Sequence, residues 1–345
     1  MSVGNDWKLL ESRGVGLEGS RVVCVANQKG GVAKTTTTVN VGAALALRGH
    51  SILVVDVDPQ ANATTGLGLD HRSVEASTYD LLVAKAPAAD VIVATGIANL
   101  FCAPSTLDLA GAEIELAGAM ARERRLAEAL ETVAGDYELV FLDCPPSLGL
   151  LTINALAAAA DLLVPVQCEY YALEGLGQLL ATAERVRRSL NPGLRVAGFV
   201  ITMYDGRTKL SSQVTDEVRS HFGSLVYETV IPRSVRLSEA PSFGETVMTL
   251  DPASRGAIAY GLLGEEVESR YGLGPGIPQG SGGEPERPET EEGDPRQVRP
   301  APGPGEGRVA VPGPGGRGYG ALTPVPADLD ERWPRREPWT GEVSR

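Results

Sequence analysis

The sequence predicts an α/β fold in which a mostly parallel, twisted sheet is covered by helices on both faces. Short, almost continuously apolar runs rich in β-branched residues alternate with longer segments of helical pattern. Strands of that kind are buried on both sides, which is typical of parallel sheets with helical crossovers. The predicted strands are Arg21–Ala26, Ile52–Val57, Leu139–Leu142, Leu162–Val166, Val196–Thr202 and Leu225–Ile231.

Helices are predicted between these strands and after the last of them. They are expected near Thr35–Arg48, Glu123–Thr132, Leu150–Ala160, Leu173–Leu190, Ser211–Phe222 and Ala257–Arg270. Ligands of such sheets bind beyond the carboxyl ends of the strands. The residues that directly follow each strand are therefore the candidate functional residues.

Composition divides the chain into three parts. Residues 1–20 are expected to form a flexible extension, and residues 21–272 one α/β domain. From Pro275 onward the chain carries 14 of its 24 prolines and few branched aliphatic residues. Such a segment cannot bury enough apolar surface to offset its chain entropy, so residues 273–345 are predicted to be a disordered acidic tail.

Cysteine usage and hydropathy argue against disulfides, metal clusters and membrane spans. The cysteines lie in apolar runs without CxxC spacing, which indicates buried, reduced thiols. No apolar leader is visible, and the segment Leu148–Cys168 contains Asn154, Asp161 and Pro165. It is therefore interpreted as a buried helix followed by a buried strand. The four cysteines are Cys24, Cys102, Cys144 and Cys168.

The segment after the first predicted strand, Asn27–Thr36, reads N-Q-K-G-G-V-A-K-T-T. Its glycines allow backbone N–H groups to turn toward a phosphate, and the following helix adds its positive amino end. Lys34 can reach the β- and γ-phosphates of a nucleotide, and Thr35 can place its hydroxyl on Mg²⁺. An ordinary βα turn is the alternative, but strand, Gly-Gly, Lys-Thr and helix in this order favour a P-loop NTPase.

The loop departs from the strict GxxxxGK[ST] pattern, because Gln28 and Ala33 stand where glycines are required. It resembles instead the deviant Walker A motif, KGGxxKT, of the ParA/MinD group of ATPases. The resemblance implies ATP and Mg²⁺ as ligands and a first lysine, here Lys29, that reaches across a dimer to the partner's nucleotide. The nucleotide-binding residues that it implies in the loop are Lys29, Gly30, Gly31, Val32, Ala33, Lys34, Thr35 and Thr36.

Two acids end the second predicted strand. Asp56 and Asp58 are two residues apart and point to one face, and Pro59 stops the strand ladder. A solvated turn is one interpretation; beside a phosphate loop, a role with water or metal is favoured. The segment resembles the DxDPQ switch of the ParA family, which implies that Asp58 positions the attacking water and that Asp56 lies near the Mg²⁺ shell.

A third acid, Asp143, ends the apolar run Leu139–Leu142, as in a Walker B strand whose acid holds Mg²⁺. A helix N-cap is the alternative. The segment resembles the DxPPS switch of the same family. The metal set expected from these motifs is Thr35, Asp56 and Asp143, and the catalytic set is Lys29, Lys34 and Asp58.

Later strand ends complete the expected nucleotide site. The Q-C-E-Y-Y-A-L-E-G segment resembles a family element near the dimer interface, although at least one of Tyr170 and Tyr171 is expected in the core. Met203, Pro232 and Ser234 each follow a strand. The family contacts adenine with the equivalents of the last two, and Ser234 replaces a frequent asparagine.

A local basic stretch lies within an otherwise acidic chain. Residues 185–236 hold nine Lys or Arg and four acids, whereas the net charge of the whole chain is −13. A solvated charged face explains most of them. The resemblance points to Arg207 and Arg236 as non-specific DNA contacts, with Lys209 and Arg233 in the same loops. Arginine pairs with phosphate through its planar fork, and such binding falls steeply with salt.

The resemblance runs from about Val22 to Arg270 and is closest to the short chromosomal type of ParA-family partition ATPase. It implies slow, switch-like hydrolysis of ATP to ADP and phosphate. It also implies a homodimer closed by ATP, non-specific binding of double-stranded DNA, and a ParB-type centromere-binding partner that stimulates hydrolysis. The expected location is cytoplasmic and nucleoid-associated, with no membrane contact. The cargo, chromosome or plasmid, stays open.

Two other functions are alternatives. A membrane-positioning ATPase like MinD needs a carboxyl-terminal amphipathic helix, and the tail here is rich in Pro and Gly. A metabolic P-loop enzyme needs a dedicated substrate pocket or, for an electron carrier, cluster-binding cysteines. The aromatic and basic cluster Trp333–Trp339 is interpreted either as an interaction arm or as a bare linker end.

Overall fold

A central sheet organises the computed structural model, which describes residues 21–169 and 172–276. Within these residues its strands are β1 (Arg21–Val25), β2 (Ile52–Asp56), β3 (Val93–Ala94), β4 (Leu100–Ala103), β5 (Leu139–Asp143), β6 (Asp161–Gln167), β7 (Arg195–Tyr204) and β8 (Val226–Pro232). Their spatial order is β3-β4-β2-β5-β1-β6-β7-β8. All neighbours are parallel except β3 and β4, which pair antiparallel.

Helices connect the strands, and three of them follow the last strand. They are α1 (Lys34–Leu47), α2 (Asn62–Gly66), α3 (Ala88–Val91), α4 (Leu109–Glu115), α5 (Arg125–Leu130), α6 (Leu150–Ala158), α7 (Ala172–Ser189), α8 (Lys209–Phe222), α9 (Val235–Glu239), α10 (Val247–Leu250) and α11 (Arg255–Tyr271). A π-helical turn spans Asp80–Ala84. Short 3₁₀ turns occupy Leu116–Gly118, Arg122–Arg124, Ala134–Asp136, Gly223–Leu225 and Ala240–Phe243.

The register of the central strands brings the acids together. Asp56 at the end of β2 lies opposite Asp143 at the end of β5, and Asp143 lies opposite Val25 at the end of β1. Every residue of β2 and β5 is buried. Because parallel strands end at a common edge, the segments that follow these strands lie side by side.

The sheet separates two apolar layers. Leu156 of α6, Leu179 of α7 and Phe222 of α8 pack on one face, where Phe222 stacks on Phe199 with ring centroids 4.0 Å apart. On the other face, α1 and α11 pack over the strands, and Tyr260 of α11 is completely buried. Coverage of both faces explains the near-continuous apolar strands.

The predicted fold class is confirmed, as are the six predicted strands and the six predicted helices. The strands β3 and β4, at one side of the sheet, were missed. The β4 run is four residues long, follows Asn99 with φ of 64° and ends before Pro104. It is too short for its apolar pattern to predict a strand. Pairing with β2 makes it a strand. Residues 1–20, Tyr170, Tyr171 and residues 277–345 of the predicted tail lie outside the described residues.

The predictions for the thiols and for Leu148–Cys168 are also confirmed. All four cysteines are free and buried, and Leu148–Cys168 contains α6 and β6. In the described part of the chain, no helix combines the length and the apolarity needed to cross a bilayer.

Replacing Gly198 with alanine is expected to destabilise the fold. A Cβ there would lie 2.6 Å from the carbonyl oxygen of Leu225 and 2.6 Å from the ring of Tyr227. Since the backbone of β7 must shift to relieve this contact, we expect Gly198→Ala to lose about 1–3 kcal/mol of unfolding free energy in urea titrations. Gly177→Ala in α7 is the control, because its Cβ meets open space and alanine favours helix. Equal stability of the two variants would contradict this account.

Candidate functional site

The loop between β1 and α1 is shaped by its own backbone and by neighbouring strand ends. Gly31 and Ala33 both take a left-handed conformation, with φ of 73° and 67°. Asn27 Nδ2 donates to the carbonyl of Pro165 at 2.8 Å, and the Thr202 hydroxyl donates to the carbonyl of Val32 at 3.1 Å. The roles of Asn27 and Thr202 were missed, because their partners lie 138 and 170 residues away.

The amino end of α1 is open to an anion. Its N-cap, Ala33, has no side chain that can accept a hydrogen bond from the first turn. A helix end of this kind carries unpaired N–H groups and a partial positive charge. The left-handed backbone at Ala33 is strained for alanine, which explains why glycine suits this position.

Lys34 is a buried cation. It is 7% exposed, and its Nζ donates to the carbonyl of Lys29 at 3.1 Å. Burial lowers the pKa of the Lys34 ammonium, while the charges of Asp143 and Asp58 oppose that shift. No carboxylate lies within ion-pair distance of Lys34 among the described residues. A phosphate group fits this environment, because it would supply the missing counter-charge.

Asp143 ties the end of β5 to α1. Its carboxylate accepts hydrogen bonds from the Thr35 hydroxyl at 2.7 Å and the Thr38 hydroxyl at 3.1 Å. Burial first, and then the charge of Asp56, raises the pKa of Asp143 to about 8. A divalent cation beside Thr35 and Asp143 would stabilise the ionised carboxylate, so this pair fits Mg²⁺. The contribution of Thr38 was not expected.

Both carboxylate oxygens of Asp56 accept hydrogen bonds from the protein. One oxygen accepts from the backbone N–H of Asp58 at 3.1 Å, and the other from the N–H and the hydroxyl of Thr64 at 2.8 and 2.7 Å. Burial raises the pKa of Asp56 to about 6. Thr64 in turn accepts from the N–H of Ser105 at 2.9 Å. Asp56 therefore lies beside Asp143 and fixes the chain between β2 and α2.

Asp58 follows β2 at the mouth of this site. It is 6% exposed, and one of its oxygens accepts from the N–H of Gln60 at 3.0 Å. Its negative charge acts to raise the pKa of Lys34 and the pKa of Asp143. A carboxylate in that place can accept a hydrogen bond from a water molecule next to the phosphates.

Lys29 points away from the other expected catalytic groups. Its Nζ lies 2.5 Å from Oε2 of Glu169, on the segment that follows β6. The resemblance assigns Lys29 to the nucleotide of a partner chain, whereas Lys34 and Asp58 act on the nucleotide of their own chain. The structure brings Lys34, Thr35, Asp58 and Asp143 together and leaves the Lys29 side chain on Glu169.

A cavity of about 580 Å³ opens beside the amino end of α1. It is lined by Ala33, Thr35, Thr36, Met203, Pro232 and Ser234, all of which were expected to bind nucleotide. Asn40 and Tyr260 also line it and were missed. Asn40 joins Thr36 to α10 through the carbonyl of Thr36 at 2.8 Å and the N–H of Val247 at 2.9 Å. An adenosine group fits a half-apolar pocket of this size.

The four expected DNA-binding cations follow β7 and β8. Arg207 is 88% exposed and bonds Asp205 at 2.7 Å, which lowers the pKa of Asp205 to about 2. Arg236 bonds Glu239 at 3.1 Å and Asp251 at 3.2 Å. Lys209 and Arg233 are exposed, and neither has an ion-pair partner in the described ranges. The backbone bond from Arg233 N–H to the Tyr204 carbonyl, 3.0 Å long, joins the two loops.

Comparison with known proteins identifies the family. A protein-family model described as an AAA domain matches residues 20–196. The chain is 54% identical over 247 residues to the sporulation initiation inhibitor protein Soj of Bacillus subtilis, an alignment that covers 72% of this chain and 98% of that protein. It is 52% identical over 252 residues to the chromosome partitioning protein ParA of Caulobacter vibrioides, covering 72% and 94%. The chain belongs to the ParA family of partition ATPases.

Solved structures place this ParA-family chain among P-loop ATPases. Cobyrinic acid a,c-diamide synthase from Mycobacterium smegmatis, with bound ADP and magnesium, matches with a TM-score of 0.65 and 39% identity, covering 75% of this chain and 98% of that one. The septum site-determining protein MinD from Pyrococcus horikoshii, complexed with Mg-ADP, matches with a TM-score of 0.61 and 28% identity, covering 74% and 98%. The predicted P-loop fold is thereby confirmed, and a nucleotide with Mg²⁺ is the ligand class of its neighbours.

The raised pKa of Asp143 predicts how stability depends on pH without nucleotide or metal. An unfolded aspartate ionises near about 4, so the folded state binds more protons between about pH 4 and about pH 8. The contribution of Asp143 to the free energy of unfolding therefore falls as pH rises. We expect Asp143→Asn to become progressively more stable than the wild type as pH rises from about 5 to about 8 in urea titrations.

Asp70→Asn is the control for this pH series, since Asp70 is outside the site and accepts from the N–H of Arg72 in a local turn. Its stability should follow that of the wild type at each pH. A constant difference between Asp143→Asn and the wild type would show that Asp143 titrates normally.

Proposed function

We propose that this chain is a nucleotide switch that partitions DNA: ATP closes a homodimer, the dimer binds DNA, and hydrolysis releases it. The observation that carries the proposal is that the buried Lys34 and Asp143 meet Thr35 at the uncapped end of α1, beside a cavity of about 580 Å³. That arrangement suits ATP with Mg²⁺. Identity of 54% to a Soj protein favours partition over other P-loop chemistries.

Each polar group of the site has a defined task in this proposal. The backbone N–H groups from Gly30 to Thr36 surround the phosphates, and Lys34 neutralises their charge. Thr35 and Asp143 hold Mg²⁺, while Asp56 fixes the switch segment from the edge of the metal site. Bound Mg²⁺ offsets charge on the phosphate oxygens. Asp58 orients the attacking water, and the pocket at Met203, Pro232 and Ser234 holds adenine.

A second copy of the chain would complete the site. Transfer of a phosphoryl group needs positive charge from outside the phosphate loop. Lys29 is proposed to supply it to the partner's nucleotide, since its ammonium lies at the surface on Glu169 and is accessible from outside the chain. Hydrolysis that needs Lys29 of a second chain is slow in the monomer and faster in the dimer, which gives the enzyme a switch-like character.

The cations after β7 and β8 are proposed as the DNA contacts. One monomer offers few of them, and Arg207 and Arg236 are already bonded to acids. A dimer doubles the number on one surface, so ATP-driven pairing would switch DNA binding on. Lys209 and Arg233 support this role most directly, because they are exposed cations outside the ion pairs described above.

The remaining parts of the proposal concern partners and organisation. A ParB-type centromere-binding protein would stimulate hydrolysis, and the protein would act in the cytoplasm on the nucleoid. Residues 21–272 would form the ATPase domain. Identity to the MinD and synthase structures is 28% and 39%, below the 54% shared with Soj, and no contact of the described residues favours their functions.

Replacement of Asp58 by asparagine is expected to slow ATP turnover by about a hundredfold, because an uncharged amide orients the attacking water less well than a carboxylate does. Steady-state phosphate release measures turnover, and fluorescence titration with a labelled ADP should show affinity close to that of the wild type. Asp70→Asn, an exposed acid in a nearby turn, should retain full turnover. Unchanged turnover in Asp58→Asn would remove Asp58 from the mechanism.

Replacement of Arg233 by glutamine is expected to weaken ATP-dependent DNA binding about threefold to tenfold and to reduce the slope of affinity against salt. Fluorescence anisotropy with an arbitrary-sequence duplex measures both quantities. Arg188→Gln is the control, since Arg188 is 63% exposed near the carboxyl end of α7, where it pairs with Glu184. DNA binding that is equally tight with ADP and ATP, or equal losses in both variants, would contradict the proposed surface.

A further inference from the structure

The ion pair between Lys29 and Glu169 joins two segments that are 140 residues apart in the chain. The Lys29 and Glu169 side chains are 36% and 47% exposed, and their charged atoms are 2.5 Å apart. The contact therefore lies at the surface, beside the phosphate loop, and is accessible to competing anions. The same lysine is the group that the proposed function requires to leave its own chain.

Glu169 is also held in place by contacts other than that with Lys29. Its second oxygen accepts from Gln167 Nε2 at 2.6 Å, and its backbone N–H donates to the Gln167 carbonyl at 2.8 Å. Gln167 is 9% exposed and is the last residue of β6. The carboxylate is thus positioned by the edge of the sheet, which reduces the entropy lost when Lys29 binds it.

The backbone of Lys29 is fixed as well. Its N–H donates to Asn27 Oδ1 at 3.0 Å, and its carbonyl accepts from Lys34 Nζ at 3.1 Å. The Lys29 side chain therefore has two alternatives: the carboxylate of its own chain, or an anion outside it. The two alternatives are exclusive, since one ammonium cannot contact both places.

We propose that Glu169 is a positioning residue that retains Lys29 on its own chain and thereby sets the protein concentration at which ATP closes the dimer. This inference rests on the proposed function of Lys29. Each closing event breaks two such ion pairs, one on each chain, so the contact opposes dimerisation. It also keeps Lys29 away from the nucleotide of its own chain, which limits hydrolysis in the monomer.

Glu169→Gln tests this role, because it removes the charge and retains the shape of the side chain. Sedimentation velocity with Mg²⁺ and a slowly hydrolysed ATP analogue measures the concentration of half-maximal dimerisation. We expect a decrease of about threefold to tenfold relative to the wild type, with unchanged binding of a labelled ADP to the monomer. Unstimulated ATP turnover at low protein concentration should rise in parallel.

Glu265→Gln is the matched control. Glu265 of α11 forms an ion pair of similar exposure with Arg48, where α1 ends; the charged atoms are 3.2 Å apart, and the Arg48 and Glu265 side chains are 40% and 55% exposed. Its removal should leave dimerisation unchanged. A decrease as large as that of Glu169→Gln would show that loss of any surface acid is sufficient, and would overturn the proposal.

The contact itself is measured independently of dimerisation. In the monomer labelled with ¹⁵N-lysine, the Lys29 ammonium signal, assigned through Lys29→Gln, should be sharp in the wild type and broadened by water exchange in Glu169→Gln. An unchanged signal would overturn the inference. So would dimerisation of Glu169→Gln at the same or a higher concentration than the wild type. Failure of the wild type itself to dimerise with ATP would instead contradict the proposed function.

Discussion

The hydrogen bonds from Thr35 and Thr38 to the buried Asp143 carboxylate join α1 to the middle of the sheet. They place a helix with an open amino end over a strand that ends in an acid, and every other feature of the site is arranged around that junction. Burial makes the ionised carboxylate unfavourable, which raises the pKa of Asp143. A bound cation removes this penalty, so the same burial that strains the free site favours metal binding.

A second layer of hydrogen bonds extends from this junction to the segments that are proposed to respond to a nucleotide. Asp56 links the backbone of Asp58 to Thr64, and Thr64 links α2 to Ser105 beyond β4. The loop of the phosphate site is held on its other side by Asn27 and Thr202, which reach β6 and β7. A displacement of Asp58 by a phosphate or water would therefore shift the hydrogen-bonded segments at the ends of several strands.

The cations of this chain are not equivalent, although the sequence presents them as one basic stretch. Arg207 and Arg236 form ion pairs with neighbouring acids, whereas Lys209 and Arg233 lie exposed beside them. Lys29 is neutralised by Glu169 in the same way. In an acidic protein, ion pairs of this kind reduce non-specific binding of anions to the cations. Whether a paired cation can bind an anionic ligand then depends on whether its acid releases it.

The sequence by itself determined the parallel sheet, the phosphate loop and the acids at Asp56, Asp58 and Asp143, because glycine spacing, apolar runs and strand-end acids are local signals. Only the tertiary structure decided that Leu100–Ala103 is a strand, that Thr37 meets Tyr260 across 223 residues, and that Lys29 rests on Glu169. These contacts join segments that no local pattern connects. Their geometry follows from strand order and register, which the chain acquires only when the whole sheet has formed.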